Sequence, residues 1–327
     1  MKFNISNYGE IEITNPTVLE IIHTKEMQRL KGVSQHGIDY LYPWIKVSRF
    51  EHSLGVYHLL KKLGASQEEQ IAGIIHDISH TAFSHVIDYV FETKHKENFH
   101  EQKLKSIVLQ SKIPKILNKQ GFEFNRIIDD KNFPLLELEL PDLCADRIDY
   151  FLRDAHMWKI ISQEQINQIL DNLCVFENQI VFKNIKIAKL AALKYKKANS
   201  TLWATPRHAA AYYVLARAIK HGLQNNIISY KDLFEQDLIL FNKLKQSNNK
   251  QILSNLNILN ENFEVRSVAK IDNYDLTIKK KLRYINPKII IKNELKKLSE
   301  LDEEFEKEIS NYIDIQQKPF FIKIIRP

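Results

Sequence analysis

The spacing of apolar residues predicts a chain built mainly of helices. Residues 1–14 depart from this pattern, because they alternate apolar and polar positions like two strands joined at Tyr8-Gly9. Beyond them, apolar residues recur every three or four positions in one segment after another. The predicted helices cover residues 16–32, 49–63, 67–78, 79–91, 97–110, 141–156, 188–222 with a break at Pro206, and the more polar stretch 223–260. Two possible strands follow at 263–269 and 320–325.

The predicted helix 67–78 carries polar residues that do not belong to its apolar side. Ser66 and Glu69 have the spacing of a capping box at its start. Its apolar stripe is formed by Ile71, Ile74 and Ile75. His76 and Asp77 fall largely off that stripe, so we expect them to face something other than the core of this helix.

The predicted helix 141–156 has one apolar and one polar side. Ile148, Phe151, Leu152 and Ala155 form the apolar side, and the other side carries Asp146, Asp149, Tyr150, Arg153 and Asp154. The polar side could be a solvent-facing surface with salt bridges or a functional surface. Asp146, Tyr150 and Asp154 are spaced i, i+4 and i+8, so they lie along one line of the helix.

These patterns indicate a mainly α protein. We expect a helical core with a short N-terminal hairpin over residues 1–222. We expect a small mixed α/β region, helical and basic, packed on that core over residues 223–327.

Composition and charge narrow the class of protein. The formal net charge of +7 suits a polyanionic partner, either a nucleotide or a nucleic acid, although much of the lysine is spread over the C-terminal third. Cys144 and Cys174 form neither a CxxC pair nor a disulfide framework, which favours a reduced, cytoplasmic setting. We expect no membrane segment, since no apolar run is long enough to span a bilayer. The chain contains no Gly-rich phosphate-binding loop.

The histidines are unevenly distributed. Nine of the twelve lie between residues 23 and 100: His23, His36, His52, His58, His76, His80, His85, His95 and His100. A His-Asp dipeptide is weak evidence by itself, but His52, His76, Asp77 and Asp146 together supply two imidazoles and two carboxylates from three helices. This mixed nitrogen and oxygen set suits a divalent metal ion with open positions for water and phosphate oxygens.

At this point the motifs resemble a known family. The order of His, His-Asp and Asp is similar to that of the HD-domain metal-dependent phosphohydrolases. The segments RFEHSLGV, HDISHTAFSHVID, His100-Glu101 and DRIDYFLRD more closely resemble the deoxynucleoside triphosphate (dNTP) triphosphohydrolases. They are nearest to the branch with a sterile alpha motif, without that module. The resemblance covers residues 20–160 and implies an all-α HD core that converts a dNTP to a deoxynucleoside and triphosphate.

The resemblance also implies roles for individual residues. The metal ligands would be His52, His76, Asp77 and Asp146, for a divalent ion that could be Mn, Mg, Fe, Co, Ni or Zn. Arg49 would contact phosphate oxygens, His80 and His85 would line the phosphate channel, and His100, oriented by Asp88, would be the general acid. Gln35, Tyr150 and Asp154 would contact the sugar. Arg147 stands where the branch has a lysine, so its phosphate contact could be shared differently.

Other interpretations stay open. The same site could hydrolyse another phosphoester, such as an NTP, a nucleoside monophosphate or a cyclic or oligonucleotide signal. The basic stretch KKKLRYINPKIIIK also allows a weakly nucleic-acid-binding or regulatory protein. A homo-oligomer is expected by resemblance. The histidines without a proposed role, expected to be structural or solvated, are His23, His36, His58, His95, His156, His208 and His221.

Overall fold

A computed structural model describes residues 1–42, 44–91, 98–270, 272–278 and 281–325. His95 and the predicted helix start at residue 97 lie outside these ranges. The helices of the described residues are α1 (Pro16–Ile22), α2 (Lys25–Arg29), α3 (Arg49–Lys62), α4 (Gln67–Ile75), α5 (Val86–Val90), α6 (Phe99–Leu109), α7 (Ile113–Lys119), α8 (Phe124–Ile127), α9 (Ala145–Met157), α10 (Gln163–Asn172), α11 (Ile185–Ala198), α12 (Pro206–Gln224), α13 (Asp237–Lys245), α14 (Lys250–Asn257), α15 (Leu298–Leu301) and α16 (Glu303–Gln316).

Three small sheets accompany the helices in the described ranges. Their strands are β1 (Lys2–Ile5), β2 (Gly9–Glu12), β3 (Leu173–Phe176), β4 (Gln179–Phe182), β5 (Glu264–Val268), β6 (Leu276–Ile278), β7 (Lys288–Ile291), β8 (Glu294–Lys297) and β9 (Phe320–Ile325). The strand orders are β1-β2, β3-β4-β7-β8 and β5-β9-β6, and the pairings are antiparallel except between β4 and β7. The predicted mainly helical fold with an N-terminal hairpin is therefore confirmed.

Two sequence predictions fail near α4 and α5. One fails because the backbone turns, and the other because a side chain binds a different segment. Of the helix predicted at 79–91, only Val86–Val90 is helical, because Phe83 and Ser84 adopt positive φ angles of 61° and 49° that interrupt a right-handed helix. The capping box at Ser66 is half formed. Ser66 accepts the Glu69 N–H, whereas the Glu69 carboxylate accepts the backbone N–H groups of Leu135 and Leu136 instead.

Two hairpins were not predicted, at β3–β4 and β7–β8. Their turns contain positive-φ pairs at Glu177-Asn178 and Lys292-Asn293. Asparagine tolerates this left-handed backbone region, so the two Asn residues were an available turn signal. The predicted break at Pro206 is confirmed, since α11 runs into a π-helical turn at Asn199–Trp203 before α12 begins at Pro206.

The apolar core consists of two clusters. The first joins the N-terminal hairpin to α3, α4, α9, α11 and α16, and the second joins α5 to α12, α13, α14 and β9. Ile78 belongs to the first cluster and Ala82 to the second, so the turn after α4 runs from one cluster to the other. Residues on both sides of position 222 contribute to each cluster, and the division of the chain at that position stays a prediction. None of the helices in the described ranges is long and apolar enough to cross a membrane.

Candidate metal centre and active site

Three elements bring the four predicted metal ligands together. His52 lies on α3, His76 and Asp77 lie in the turn that ends α4, and Asp146 lies in the first turn of α9. Ser48 caps the start of α3 by accepting the Glu51 N–H at 3.2 Å. Helix α3 packs against both α4 and α9. We call His52, His76, Asp77 and Asp146 the His/Asp cluster.

The donor atoms of the His/Asp cluster converge on one point. His52 Nε2 lies 2.8 Å from Asp146 Oδ1, 3.3 Å from His76 Nε2 and 3.6 Å from Asp77 Oδ2. His76 Nε2 lies 3.5 Å from Asp146 Oδ1 and from Asp77 Oδ1. Bonds of about 2.1 Å to one cation place neighbouring ligand atoms about 3 Å apart. His52, His76 and Asp146 therefore fit a single divalent ion, and the carboxylate oxygens of Asp77 lie 3.5 and 3.6 Å from the two Nε2 atoms.

The Nδ1 atoms of His52 and His76 already make hydrogen bonds within the protein. His52 Nδ1 donates to Asp149 Oδ2 at 2.8 Å, and His76 Nδ1 donates to the Gly73 carbonyl at 2.7 Å. A ligating histidine usually donates its second N–H to a carboxylate or carbonyl, which orients the ring and selects its tautomer. Both Nε2 atoms are thus left for the metal.

Asp149 is itself held in a buried ion-pair network that the sequence did not reveal. Arg153 Nε and Nη2 donate to the Asp149 carboxylate at 2.6 and 3.1 Å, and Arg153 Nη1 donates to Glu51 at 2.9 Å. Asp149 and Arg153 are almost fully buried. Their i, i+4 spacing on α9 was a signal for an ion pair, but nothing in the sequence placed it behind His52.

The electrostatics of the cluster are those of a cation site. Burial alone would lower the pKa of His52, but Asp146 and Asp149 raise it to about 10. Burial would raise the pKa of Asp77, yet Arg49 and the neighbouring histidines hold it well below its usual range. A proton on His52 thus balances the carboxylates where a divalent ion would, so protons and the metal compete for the site.

Arg49 connects the cluster to the loop before α3. Its Nη1 donates to Asp77 Oδ2 at 2.8 Å, its Nε donates to Ser84 Oγ at 3.0 Å, and its Nη2 donates to the Gln35 carbonyl at 3.3 Å. The side chain is 6% exposed. The structure therefore brings Arg49 into the predicted site, with its guanidinium beside the predicted ligand Asp77.

Three histidine rings lie next to the cluster. His80 and His100 stack with centroids 3.8 Å apart, and His85 meets both rings edge to face. Asp88 Oδ2 lies 3.2 Å from His85 Nδ1, while Asp88 Oδ1 accepts the Phe99 N–H. Burial and the neighbouring His85 lower the pKa of His100 to about 3.

Two further donor groups adjoin the cluster in the described ranges. Asp77, His80 and His100 offer ligand atoms within 4.8 Å of one another, as do Glu137, Cys144 and Asp146. Both groups share a carboxylate with the His/Asp cluster, so they extend one site.

The predicted sugar-contacting residues lie further along α9. The hydroxyls of Tyr150 and Tyr195 share a hydrogen bond of 2.6 Å, and Trp203 Nε1 donates to Asp154 Oδ2 at 2.6 Å. Gln35 is buried in the loop before α3. Asp146 and Asp154 are eight residues apart, a rise of roughly 12 Å along the helix axis.

The Arg147 guanidinium is held by hydrogen bonds to residues 137–144, which precede it in the chain. Its guanidinium donates to the carbonyls of Asp142 and Leu138 at 2.6 and 2.8 Å, to Cys144 Sγ at 3.2 Å and to Glu137 at 3.3 Å. A phosphate contact from Arg147 stays a prediction, and it would require some of these bonds to be exchanged.

Comparisons with known proteins agree with this arrangement. Residues 49–154, which contain the whole His/Asp cluster, match the HD domain family. The chain is 37% identical to YdhJ of Bacillus subtilis over 322 residues, covering 98% of both proteins. It is 29% identical to the metal-dependent phosphohydrolase cns2 of Cordyceps militaris over 290 residues, or 86% of this chain and 83% of cns2.

A shorter match and a solved structure complete the comparison. Over 108 residues the chain is 39% identical to the deoxynucleoside triphosphate triphosphohydrolase SAMHD1 of Danio rerio, covering 28% of this chain and 17% of that protein. The fold resembles a crystal structure of an Aquifex aeolicus protein with a TM-score of 0.71 at 20% identity, covering 99% and 96% of the two chains. The chain belongs to the HD-domain family. Within that family it is a metal-dependent phosphohydrolase.

Proposed function

We propose that this enzyme hydrolyses deoxynucleoside triphosphates to deoxynucleoside and triphosphate. The observation that carries the proposal is the line of Asp146, Tyr150 and Asp154 along α9. One end of this line belongs to the His/Asp cluster, and at the other end lies the buried carboxylate of Asp154, 3.1 Å from His36 Nε2. The similarity to the Danio rerio triphosphohydrolase supports the same substrate class.

His52, His76, Asp77 and Asp146 would hold a divalent cation. Such a cation polarises a phosphoryl oxygen and lowers the pKa of the attacking water. Asp149 and the Gly73 carbonyl orient the two imidazoles, so the protein holds the ligand geometry before the substrate binds.

In the proposed reaction, water oxygen attacks the α-phosphorus and the bond from phosphorus to the sugar 5′-oxygen breaks. Arg49, beside the ligands, offsets the negative charge that builds on the non-bridging oxygens. The attacking water loses one proton to solvent as its oxygen bonds to phosphorus, and the 5′-oxygen takes one proton from an imidazole, which solvent then reprotonates, so atoms and charge balance.

We propose that His85, rather than His100, donates this proton. The resemblance assigned this role to His100 with Asp88 as its orienting carboxylate. However, Asp88 Oδ2 lies at hydrogen-bond distance from His85 Nδ1, and the His85 side chain is 25% exposed. The stacked His100 then supports the ring of His80. An imidazole held by a carboxylate can donate a proton near neutral pH.

The test is product analysis with purified protein. We expect incubation with Mn²⁺ and each of the four dNTPs to release triphosphate and the deoxynucleoside, separated by anion exchange. The variants His76→Ala and Asp77→Ala should lose the activity together with metal binding, whereas Lys220→Ala, remote from the cluster on α12, should keep it. Absence of triphosphate from every dNTP would overturn the proposal.

A second candidate keeps the same site but acts on another phosphoester. It is motivated by Tyr150, whose hydroxyl already shares a hydrogen bond with the Tyr195 hydroxyl, so that a sugar contact would have to add to this bond or replace it. A panel of dNTPs, NTPs and nucleoside monophosphates with Mn²⁺, Mg²⁺, Co²⁺ and Ni²⁺ separates the candidates, since monophosphate or inorganic phosphate would replace triphosphate as product.

A further inference from the structure

The first residue of α13, Asp237, binds two backbone segments that lie far apart in the chain. Its Oδ2 accepts the Ser34 N–H at 2.9 Å, and its Oδ1 accepts the Phe83 N–H at 2.8 Å. One carboxylate oxygen therefore holds residues 33–37 in the loop before α3, and the other holds residues 81–84 in the turn before α5. This side chain sets the distance between the two segments.

The same two segments supply acceptors for the Arg49 guanidinium. Arg49 Nη2 donates to the Gln35 carbonyl at 3.3 Å, and Arg49 Nε donates to Ser84 Oγ at 3.0 Å. Each acceptor comes one residue after the residue whose N–H binds the α13 carboxylate. The remaining bond of the guanidinium, to Asp77 Oδ2 at 2.8 Å, reaches the His/Asp cluster. The α13 carboxylate is thus connected to the cluster through the groups that orient Arg49.

The two segments are in direct contact with each other. Ser84 Oγ donates to the Ser34 carbonyl, and a Cβ at Gly37 would lie only 2.2 Å from the Phe83 carbonyl oxygen. Gly37 has a φ angle of 69°, so the absence of a side chain serves both the backbone conformation and the close approach. With so little space between the segments, a shift of either one moves an acceptor of the guanidinium. A displacement of about 1 Å at a reacting site can cost about 100-fold in rate.

Other bonds keep this end of the chain attached to the same region. Arg29 donates to the His80 carbonyl at 2.6 Å and to the Glu235 carbonyl at 3.4 Å. The Ala82 N–H donates to the Leu233 carbonyl at 2.8 Å. Loss of the α13 carboxylate therefore leaves the helix attached and removes the two bonds that set the spacing of the segments.

We propose that Asp237 is a positioning residue, which orients the Arg49 guanidinium through the backbone at residues 34–35 and 83–84. The inference rests on the proposed function for the contact of Arg49 with phosphate oxygens. It extends the machinery of the reaction to α13, beyond residues 35–154, which contain every site residue predicted from the sequence.

Substitution of the carboxylate gives the first test. Asp237→Leu removes both acceptors, and Asp237→Asn retains one. With Mn²⁺ and each dNTP, we expect kcat/KM to fall about 10–100-fold in Asp237→Leu and less in Asp237→Asn, at unchanged Mn²⁺ stoichiometry. The matched control is Asp232→Leu, because the Asp232 carboxylate accepts the Ser229 N–H and contacts Lys243 Nζ within its own segment. It should keep the wild-type kcat/KM.

A double-mutant cycle separates positioning from general destabilisation. If Asp237 acts through Arg49, then Asp237→Leu should lower kcat/KM less than about threefold in an Arg49→Lys background, where the guanidinium is already lost. A loss in that background as large as in the wild type would overturn the positioning role, and so would wild-type kcat/KM in a folded Asp237→Leu. Urea unfolding checks folding. If Asp237→Leu does not fold, the cycle is made with Asp237→Asn and decided by the same comparison.

Product analysis separates this inference from the proposed reaction. If the enzyme hydrolyses another phosphoester instead, the cycle is measured on that substrate, and coupling between positions 237 and 49 would refute only the dNTP reaction. If no phosphoester is hydrolysed, calorimetric binding of inorganic triphosphate to the Mn²⁺-loaded protein replaces kcat/KM. Asp237→Leu should then weaken that binding about as much as Arg49→Lys does, and unchanged binding would overturn the positioning role.

Discussion

The substitution Gly55→Ala tests whether the buried ion pair behind His52 supports the metal site. A Cβ at Gly55 would overlap Asp149 Oδ1 and Arg153 Nη2, because α3 and α9 are in close contact there. The added methyl leaves every charged residue in place but must displace the carboxylate that orients the His52 ring. We therefore expect one methyl group to reduce both stability and metal affinity.

The expected magnitude follows from two opposing terms. Disrupting a buried ion pair costs about 3–5 kcal/mol. Replacing Gly with Ala inside a helix stabilises the helix by about 1 kcal/mol. The net loss in the free energy of unfolding should therefore be about 2–4 kcal/mol. Because His52 loses its orienting carboxylate, Mn²⁺ affinity should fall about 10–100-fold.

Urea unfolding of the metal-free protein measures the first quantity, and calorimetric titration with Mn²⁺ measures the second. Gly222→Ala on α12 is the control, because its Cβ would meet only apolar side-chain atoms, Leu244 Cδ2 at 2.7 Å and Ile228 Cγ1 at 3.0 Å, and no charged group. It should keep wild-type Mn²⁺ affinity. Wild-type stability and Mn²⁺ affinity in Gly55→Ala would refute the reasoning.

Three further experiments test separate parts of the protein. His85→Gln should lower kcat about 100- to 10,000-fold at unchanged Mn²⁺ stoichiometry, and a larger loss in His100→Gln would return the acid role to His100. Arg49→Lys keeps the positive charge but cannot donate to Asp77, Ser84 and the Gln35 carbonyl at once, so kcat/KM should fall about 10–100-fold. An unchanged kcat/KM would contradict the proposed contact of Arg49 with phosphate oxygens. Burial raises the pKa of Asp237 to about 7. The folded state then keeps a proton that the unfolded chain releases near pH 4, so this group's contribution to stability is lost as pH rises towards 7. Urea midpoints from pH 4 to 8 should fall less steeply in Asp237→Asn, and equal slopes would contradict the assignment.

Local sequence signals were sufficient for most helices and for the candidate ligands. The Ser66 cap and the stripe of Ile71, Ile74 and Ile75 marked α4, and the off-stripe position of His76 and Asp77 indicated that they face something other than the core of this helix. These predictions hold because capping and helical periodicity depend on residues within a few positions of each other. The resemblance then added the pairing of these residues with His52 and Asp146, which no local pattern contains.

Tertiary structure decided which partner each polar side chain has. From the sequence, Asp149 and Arg153 could have been a solvent-exposed salt bridge, yet close packing of α3 against α9 at Gly55 buries them behind His52. From the sequence Asp88 could orient either His85 or His100, and in the folded chain its Oδ2 lies 3.2 Å from His85 Nδ1 while the His100 ring stacks on His80. His36 and Asp154 are more than a hundred residues apart, and only the folding of the loop before α3 against α9 makes them a pair. Partner choice among such distant groups depends on burial and on distances of a few tenths of an ångström, which the order of residues alone does not specify.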